Sequence, residues 1–179
     1  MNIIVTGFEP FGGESTNASW EAVKELEGVQ TILLPVSFRR AAALIREMTF
    51  SRQDAVICVG EAGGRDRISV ERVAVNLMDA RIPDEDGYQP VDLKISENGP
   101  AAYFSTLPTR AMAGAMENAE LSYTAGTYVC NTVFYTLMEK VGDTLPAGFI
   151  HVPKTMETAR VTEALAAAVR ILAGSGGGE

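Results

Sequence analysis

Asp54-Ala-Val-Ile-Cys-Val-Gly60 is the stretch that decides the fold. It is an unbroken apolar run closed by glycine, too short for a helix and without the alternation of a half-exposed strand. A strand apolar on both faces is what a parallel sheet covered by helices requires. Cys58 lies inside this run and reads as a small buried hydrophobe.

Outward from this strand the chain alternates. Toward the N-terminus, Asn2 to Thr6 and Thr31 to Val36 are short β runs. Helical patterns from about Ala18 to Glu27, capped within Ser15 to Asn17, and from Arg39 to Met48 separate them. Toward the C-terminus come a strongly β segment from Ile68 to Met78, a polar loop from Asp79 to Pro90 and a helical segment from Pro108 to Asn118. A β segment from Leu121 to Tyr123, a turn at Ala125-Gly126 and a helix to about Val141 follow. The last elements are a strand Ala147-Gly-Phe-Ile-His-Val-Pro153 and a helix from Thr155 to Leu172. This order predicts a single α/β domain over residues 1–173, a three-layer α/β/α sandwich with a mixed, mostly parallel sheet, and a flexible tail over 174–179.

Composition narrows the function. The net charge of −8 and pI near 4.7 argue against nucleic acid, whose phosphates need clustered Lys and Arg. No apolar run approaches the ~20 residues of a membrane span. The N-terminal Met-Asn-Ile-Ile-Val-Thr-Gly reads as a strand rather than a signal peptide. With two cysteines, that predicts a cytoplasmic, reducing setting. One histidine and two cysteines do not make an ordinary zinc site, and no metal or cofactor is expected. The loop Gly60-Glu-Ala-Gly-Gly-Arg65 lacks dinucleotide-binding order, but its place after a parallel strand suits ligand binding.

The chemistry-bearing stretch is Ser122-Tyr-Thr-Ala-Gly-Thr-Tyr-Val-Cys130-Asn-Thr-Val-Phe134. Cys130, Phe134, Leu137 and Val141 fall on one helical face, so Cys130 sits in the first helical turn. Free N–H groups and the helix dipole there favour a thiolate. His151 is the one histidine, near a strand's carboxyl end, and the one side chain whose ordinary titration lies near neutral pH. Strand parity puts Glu71 on the face of Val73, Val75 and Leu77, where a carboxylate needs a partner. A thiolate, a base and an orienting acid are the parts of a cysteine hydrolase. Each residue also has a plainer reading: a core cysteine, a satisfied strand-end histidine, a solvated strand-end glutamate. Arg81 is singled out because it follows the segment that carries Glu71, whereas the acids of the 79–90 loop read as solvated surface.

Four motifs in order resemble the pyroglutamyl-peptidase I (pyrrolidone-carboxylate peptidase) family across nearly the whole chain. They are Val5-Thr-Gly-Phe-Glu-Pro-Phe-Gly-Gly13; Gly63-Gly-Arg through Val70-Glu-Arg-Val-Ala-Val-Asn76 and Asp79-Ala-Arg-Ile-Pro-Asp84; Ser122 to Asn131; and Gly148-Phe-Ile-His-Val-Pro153. The resemblance implies a cytoplasmic cysteine exopeptidase of phosphorylase/hydrolase-like architecture that removes N-terminal pyroglutamate through a thioacyl-enzyme. It assigns Cys130 as nucleophile, His151 as base and acid, and Glu71 as the group that orients the imidazole. It places the lactam ring between Phe8 and Phe11, with Asn17, Glu61, Tyr128 and Val129 around it and Arg81 beside the site. The Cys130 N–H becomes an oxyanion donor. A homo-oligomer is implied, with the methionine-bearing helices as candidate contacts, although Met112 and Met116 read equally as core packing positions.

The chain departs from the family's pattern in having Glu61 where glutamine is common, Ala18 where proline is common, and a shorter segment between Cys130 and His151. A carboxylate at 61 would raise the nearby thiol's pKa if its side chain acts in the site. That leaves open a degenerate relative that binds or hydrolyses another small amide. A nucleotide-binding α/β protein is a third reading, weakened by the missing phosphate signature.

Overall fold

A computed structural model describes residues 1–175. Its elements are β1 (Asn2–Phe8), α1 (Ala18–Val23), β2 (Gln30–Leu34), α2 (Phe38–Glu47), β3 (Asp54–Ala62), β4 (Ile68–Glu71), β5 (Val73–Val75), β6 (Ala102–Phe104), α3 (Thr109–Ala115), β7 (Ala119–Ser122), α4 (Val129–Val141), β8 (Ala147–Pro153) and α5 (Thr158–Ser175). Six strands form one sheet in the order β2-β1-β3-β8-β4-β7, and β5 and β6 form a separate antiparallel pair. Every pairing in the main sheet is parallel except β4 with β8.

The two central strands explain the layers. Alternate residues of β3 and β8 are buried on opposite faces of the sheet. Val56, Cys58, Ala147 and Phe149 join the core under α2 and α4. Ala55, Ile57, Val59, Ile150 and Val152 join the core that holds residues of α1, α3 and α5. A strand enclosed on both sides has no polar face to show, which is why Asp54–Gly60 carries no alternation.

Several expectations change. The β segment from Ile68 to Met78 is not one strand. It breaks at Arg72, whose N–H donates to Ser122 O, and the chain then leaves the main sheet for the β5–β6 pair. Asp84 is not a solvated acid. It is buried, and its carboxylate accepts the N–H groups of Phe38, Asp86 and Tyr88 at 2.9, 3.0 and 2.9 Å. The Phe38 N–H ties the loop to the start of α2, and the Asp86 and Tyr88 N–H groups fold the loop around the carboxylate. Met112 of α3 and Met116 just after it are core residues, one of the two roles expected of them. Helix α5 continues through Gly174 to Ser175, and the rest of the expected tail lies outside the described residues.

Asn131, fully buried at the start of α4, ties the small sheet to the large domain. Its Oδ1 accepts the Val75 N–H at 3.0 Å, and its Nδ2 donates to Val75 O at 2.9 Å and Leu77 O at 3.1 Å. The side chain thereby replaces the neighbouring strand that β5 lacks on that edge.

Candidate active site

Cys130 occupies the second position of α4, where its N–H has no preceding helical carbonyl to meet. The helix starts where it does because Gly126, at φ +75°, turns the chain through the left-handed region that glycine tolerates. The turn is also pinned from outside. Thr127 Oγ1 donates to Asp79 O at 2.8 Å, and Tyr128 Oη donates to Pro83 O at 2.9 Å.

Helix α4 aims Cys130 at the sheet. A Cβ built on Gly60 would lie 2.7 Å from Cys130 Sγ and 2.8 Å from Phe149 Cζ. Only the bare glycine backbone of β3 leaves room for the sulfur. In the parallel β3–β8 register Gly60 is paired with His151, so the sulfur sits one strand spacing from the histidine's backbone, on the same face. Phe149 shares that face, with its ring centroid 4.8 Å from that of His151. Replacing Gly60 with alanine therefore displaces the thiol or the Phe149 ring. The expected result is a loss of at least about 100-fold in kcat/KM and ~1–3 kcal/mol of stability, checked by kinetics and urea unfolding.

The antiparallel β4–β8 register sets Ser69 opposite His151 and Glu71 opposite Phe149, making Glu71 the diagonal neighbour of His151. Glu71 is fully buried. Its Oε1 meets His151 Nδ1 at 2.8 Å and Arg65 Nη1 at 2.5 Å. Arginine can only donate and the carboxylate oxygen accepts, so Nδ1 carries the proton and Nε2 is left as the basic nitrogen. Glu71 Oε2 has no hydrogen-bond partner among the described residues.

Burial pushes the Cys130 thiol up to about 12. The Glu71 carboxylate adds to the rise and the Arg65 guanidinium opposes it. The helix-start effect, which alone favours a thiolate, is outweighed. Cys130 keeps a partly open surface while its sulfur lies against Gly60 and Phe149. It rests as a thiol, and a base has to take its proton.

In front of the sulfur a pocket of about 290 Å³, counted with its open mouth, is lined by Phe8, Phe11, Asn17, Val36, Glu61, Tyr128, Val129 and Cys130. Every ring-pocket residue expected from the sequence is in this lining. Phe8 is buried against Phe149, and Phe11 is half-buried. Asn17 is partly committed elsewhere, as its Oδ1 accepts from Ser19 N and Oγ while Nδ2 donates to Glu9 O. One amide N–H remains. Glu61 Oε2 accepts the Ala18 N–H at 2.7 Å, so this side chain also serves the first turn of α1. A larger cleft of about 930 Å³ between the ends of α2 and α4, lined by Arg46, Arg52 and Lys140 among others, contains none of these groups. Chemistry rather than size picks the site.

The segment of Arg81 lies against the turn before α4, through the carbonyls of Asp79 and Pro83, but Arg81 itself has no bond to the triad. It is exposed, and its side chain makes no hydrogen bond or ion pair among the described residues. Arg65 stands at the triad instead. Its residue was visible in the Gly63-Gly-Arg motif, at the carboxyl end of a parallel strand, but nothing local ties it to Glu71. No group of His, Cys, Asp and Glu among the described residues could hold a metal ion.

A family model described as pyroglutamyl peptidase matches residues 1–168. The pyrrolidone-carboxylate peptidase of Thermococcus kodakarensis is 49% identical over 173 residues, covering 89% of this chain and 84% of the relative. That of Bacillus subtilis is 49% identical over 166 residues, covering 84% and 77%. The crystal structure of Bacillus amyloliquefaciens pyroglutamyl peptidase I superposes with a TM-score of 0.91 at 40% identity, covering 97% of each chain.

Proposed function

The chain belongs to the pyroglutamyl peptidase family, and from that premise we propose that it removes N-terminal pyroglutamate from peptides with Cys130, His151 and Glu71 as its catalytic residues. The carrying observation is the Glu71–His151 bond of 2.8 Å on the sheet face where Cys130 Sγ rests over Gly60. All of these groups lie within residues 1–173, read as one catalytic unit.

The pyroglutamyl ring is flat and uncharged, and it enters between Phe8 and Phe11 with Tyr128 and Val129 behind it. His151 Nε2 takes the Cys130 thiol proton as sulfur bonds to the pyroglutamyl carbonyl carbon. The carbonyl oxygen becomes an oxyanion, met by the free Cys130 N–H at the helix start. Collapse breaks the C–N bond, and the departing amine takes the proton from His151, leaving a thioester. Water then attacks the thioester carbonyl, His151 accepts its proton and returns one to sulfur, and pyroglutamate leaves. Glu71 Oε1 holds the ring in the right tautomer and offsets the transient imidazolium. The raised thiol supports this order of events, with proton removal coupled to attack.

Glu61 fits the same reading. Its bond to Ala18 N needs only an acceptor, which a glutamine also supplies. Its charge is the weakest of the influences that raise the Cys130 thiol. Glu61→Gln is therefore expected to keep kcat/KM within about threefold. It should also move the pH midpoint of Cys130 alkylation by iodoacetamide downward.

A homo-oligomer in a reducing, cytoplasmic setting belongs to this proposal. Two unpaired cysteines and the exposed Phe104 and Tyr123, each 65% exposed, support it. No helix among the described residues is long and apolar enough to cross a membrane. The test of function is release of a fluorophore from a pyroglutamyl amide against the matching prolyl amide, which lacks the ring carbonyl. Turnover of the first alone is expected, and equal turnover of both would overturn the substrate assignment.

A further inference from the structure

We propose that Arg65 is a positioning residue of the reaction, whose guanidinium holds the Glu71 carboxylate against His151 and at the same time fastens the loop that delivers Cys130. The proposal rests on the pyroglutamyl peptidase reading above.

Arg65 lies on the turn after β3, where its N–H donates to Ala62 O at 3.3 Å. Its fork reaches two elements at once. Nη1 donates to Glu71 Oε1 at 2.5 Å, and Nη2 donates to Thr124 O at 2.7 Å, between β7 and α4. A weaker contact joins Nη1 to Ser122 Oγ at 3.5 Å. One side chain therefore bridges the acid of the triad and the six-residue approach, Tyr123 to Tyr128, to the nucleophile's helix.

Glu71 depends on that bridge. It is fully buried, its Oε2 has no hydrogen-bond partner among the described residues, and Oε1 is shared by Arg65 and His151. Two bonds to a single oxygen set the carboxylate's orientation. Without Arg65 one remains, and a buried carboxylate left with one neutral partner turns toward whatever donor it can reach. The His151 ring then loses its fixed bearing on the sulfur. Lysine does not substitute, since a single ammonium cannot span a carboxylate and a carbonyl as a planar fork does.

Charge adds to geometry. The titratable groups around the sulfur are Glu71 on β4, His151 on β8, Arg65 after β3, Cys58 and Glu61 within β3, and Tyr128 just before α4. Among the named influences on the Cys130 thiol, Arg65 is the one that lowers it, against burial, Glu71, Cys58 and Glu61. Its loss makes thiolate formation harder while it loosens the base.

The experiment compares Arg65→Met, Arg65→Lys and the parent in two assays at matched folded fraction. One is kcat and KM on a pyroglutamyl amide. The other is the pH dependence of Cys130 alkylation by iodoacetamide, which needs no substrate. In Arg65→Met, kcat is expected to fall about 10–100-fold with KM changed less than about threefold, and the alkylation midpoint to move to higher pH. In Arg65→Lys, which keeps the charge, kcat falls similarly while the alkylation curve stays near the parent's. A kcat within twofold of the parent in either variant overturns the proposal, as does an unshifted alkylation curve in Arg65→Met. If Arg65→Met does not fold, Arg65→Lys decides on kcat. A parent inactive on pyroglutamyl amides would overturn the functional reading instead, and the alkylation curves would still report on Arg65.

Discussion

Cys130→Ala is expected to lose at least about 10³-fold in kcat on a pyroglutamyl amide while its circular dichroism stays that of the parent. The size follows from the chemistry. No other side chain in the pocket can form an acyl intermediate, since Phe8, Phe11, Asn17, Val36, Glu61, Tyr128 and Val129 offer no activated nucleophile beside His151. Cys58 cannot stand in, because it is fully buried and burial pushes its thiol up to about 12. The fold survives because the sulfur fills little space of its own over Gly60 and Phe149. A small void at a half-open position costs on the order of 1 kcal/mol. Steady-state kinetics and a thermal melt check both halves. A variant that keeps more than a tenth of the parent's rate would remove Cys130 from the mechanism.

Glu71→Gln is the second large effect, and it separates charge from shape. The amide keeps the volume of the side chain and can still accept from Arg65 or His151. It cannot offset an imidazolium, and its N–H₂ group can present a donor to Nδ1, which favours the unproductive tautomer. A loss of about 10²–10⁴-fold in kcat is expected, with KM little changed. Stability falls as well. The Arg65 guanidinium loses its counter-charge, and a buried amide gains donors that nothing in the surroundings satisfies. Because Arg65 is 27% exposed, water shares the cost, and ~1–3 kcal/mol is the expected range from a urea midpoint. Activity within threefold of the parent would mean that the acid has no part in the relay.

Much of this architecture was readable from local pattern. The apolar run Asp54–Gly60 could only be an enclosed strand, and the spacing of Phe134, Leu137 and Val141 could only be one face of a helix. The placement of Cys130 at the start of that helix followed from the same spacing. Parity counting put Glu71 on an inward face. The count runs through a continuous strand where the structure has a break at Arg72, yet Glu71 is buried all the same.

The unreadable parts share one physical feature, which is dependence on register between distant segments. Arg65 reaches Thr124 across 59 positions, and Asn131 reaches Val75 across 56. Asp84 owes its burial to the Phe38 N–H, 46 positions away. Polar side chains of this kind look like surface residues until the strands are paired. The thiol's resting state was likewise a matter of competing magnitudes. A helix start argues for the thiolate, and only the packing of the sulfur against Gly60 and Phe149 shows that burial outweighs it.

The central claim is that Cys130 is the nucleophile of a pocket shaped for the pyroglutamyl ring. Its most direct test is inactivation with a chloromethyl ketone carrying a pyroglutamyl group, followed by peptide mass mapping at successive times. Loss of activity in step with one label on Cys130, slowed by free pyroglutamate, is the predicted result. Full activity in protein with Cys130 completely labelled, or inactivation with the label on another residue, would contradict it.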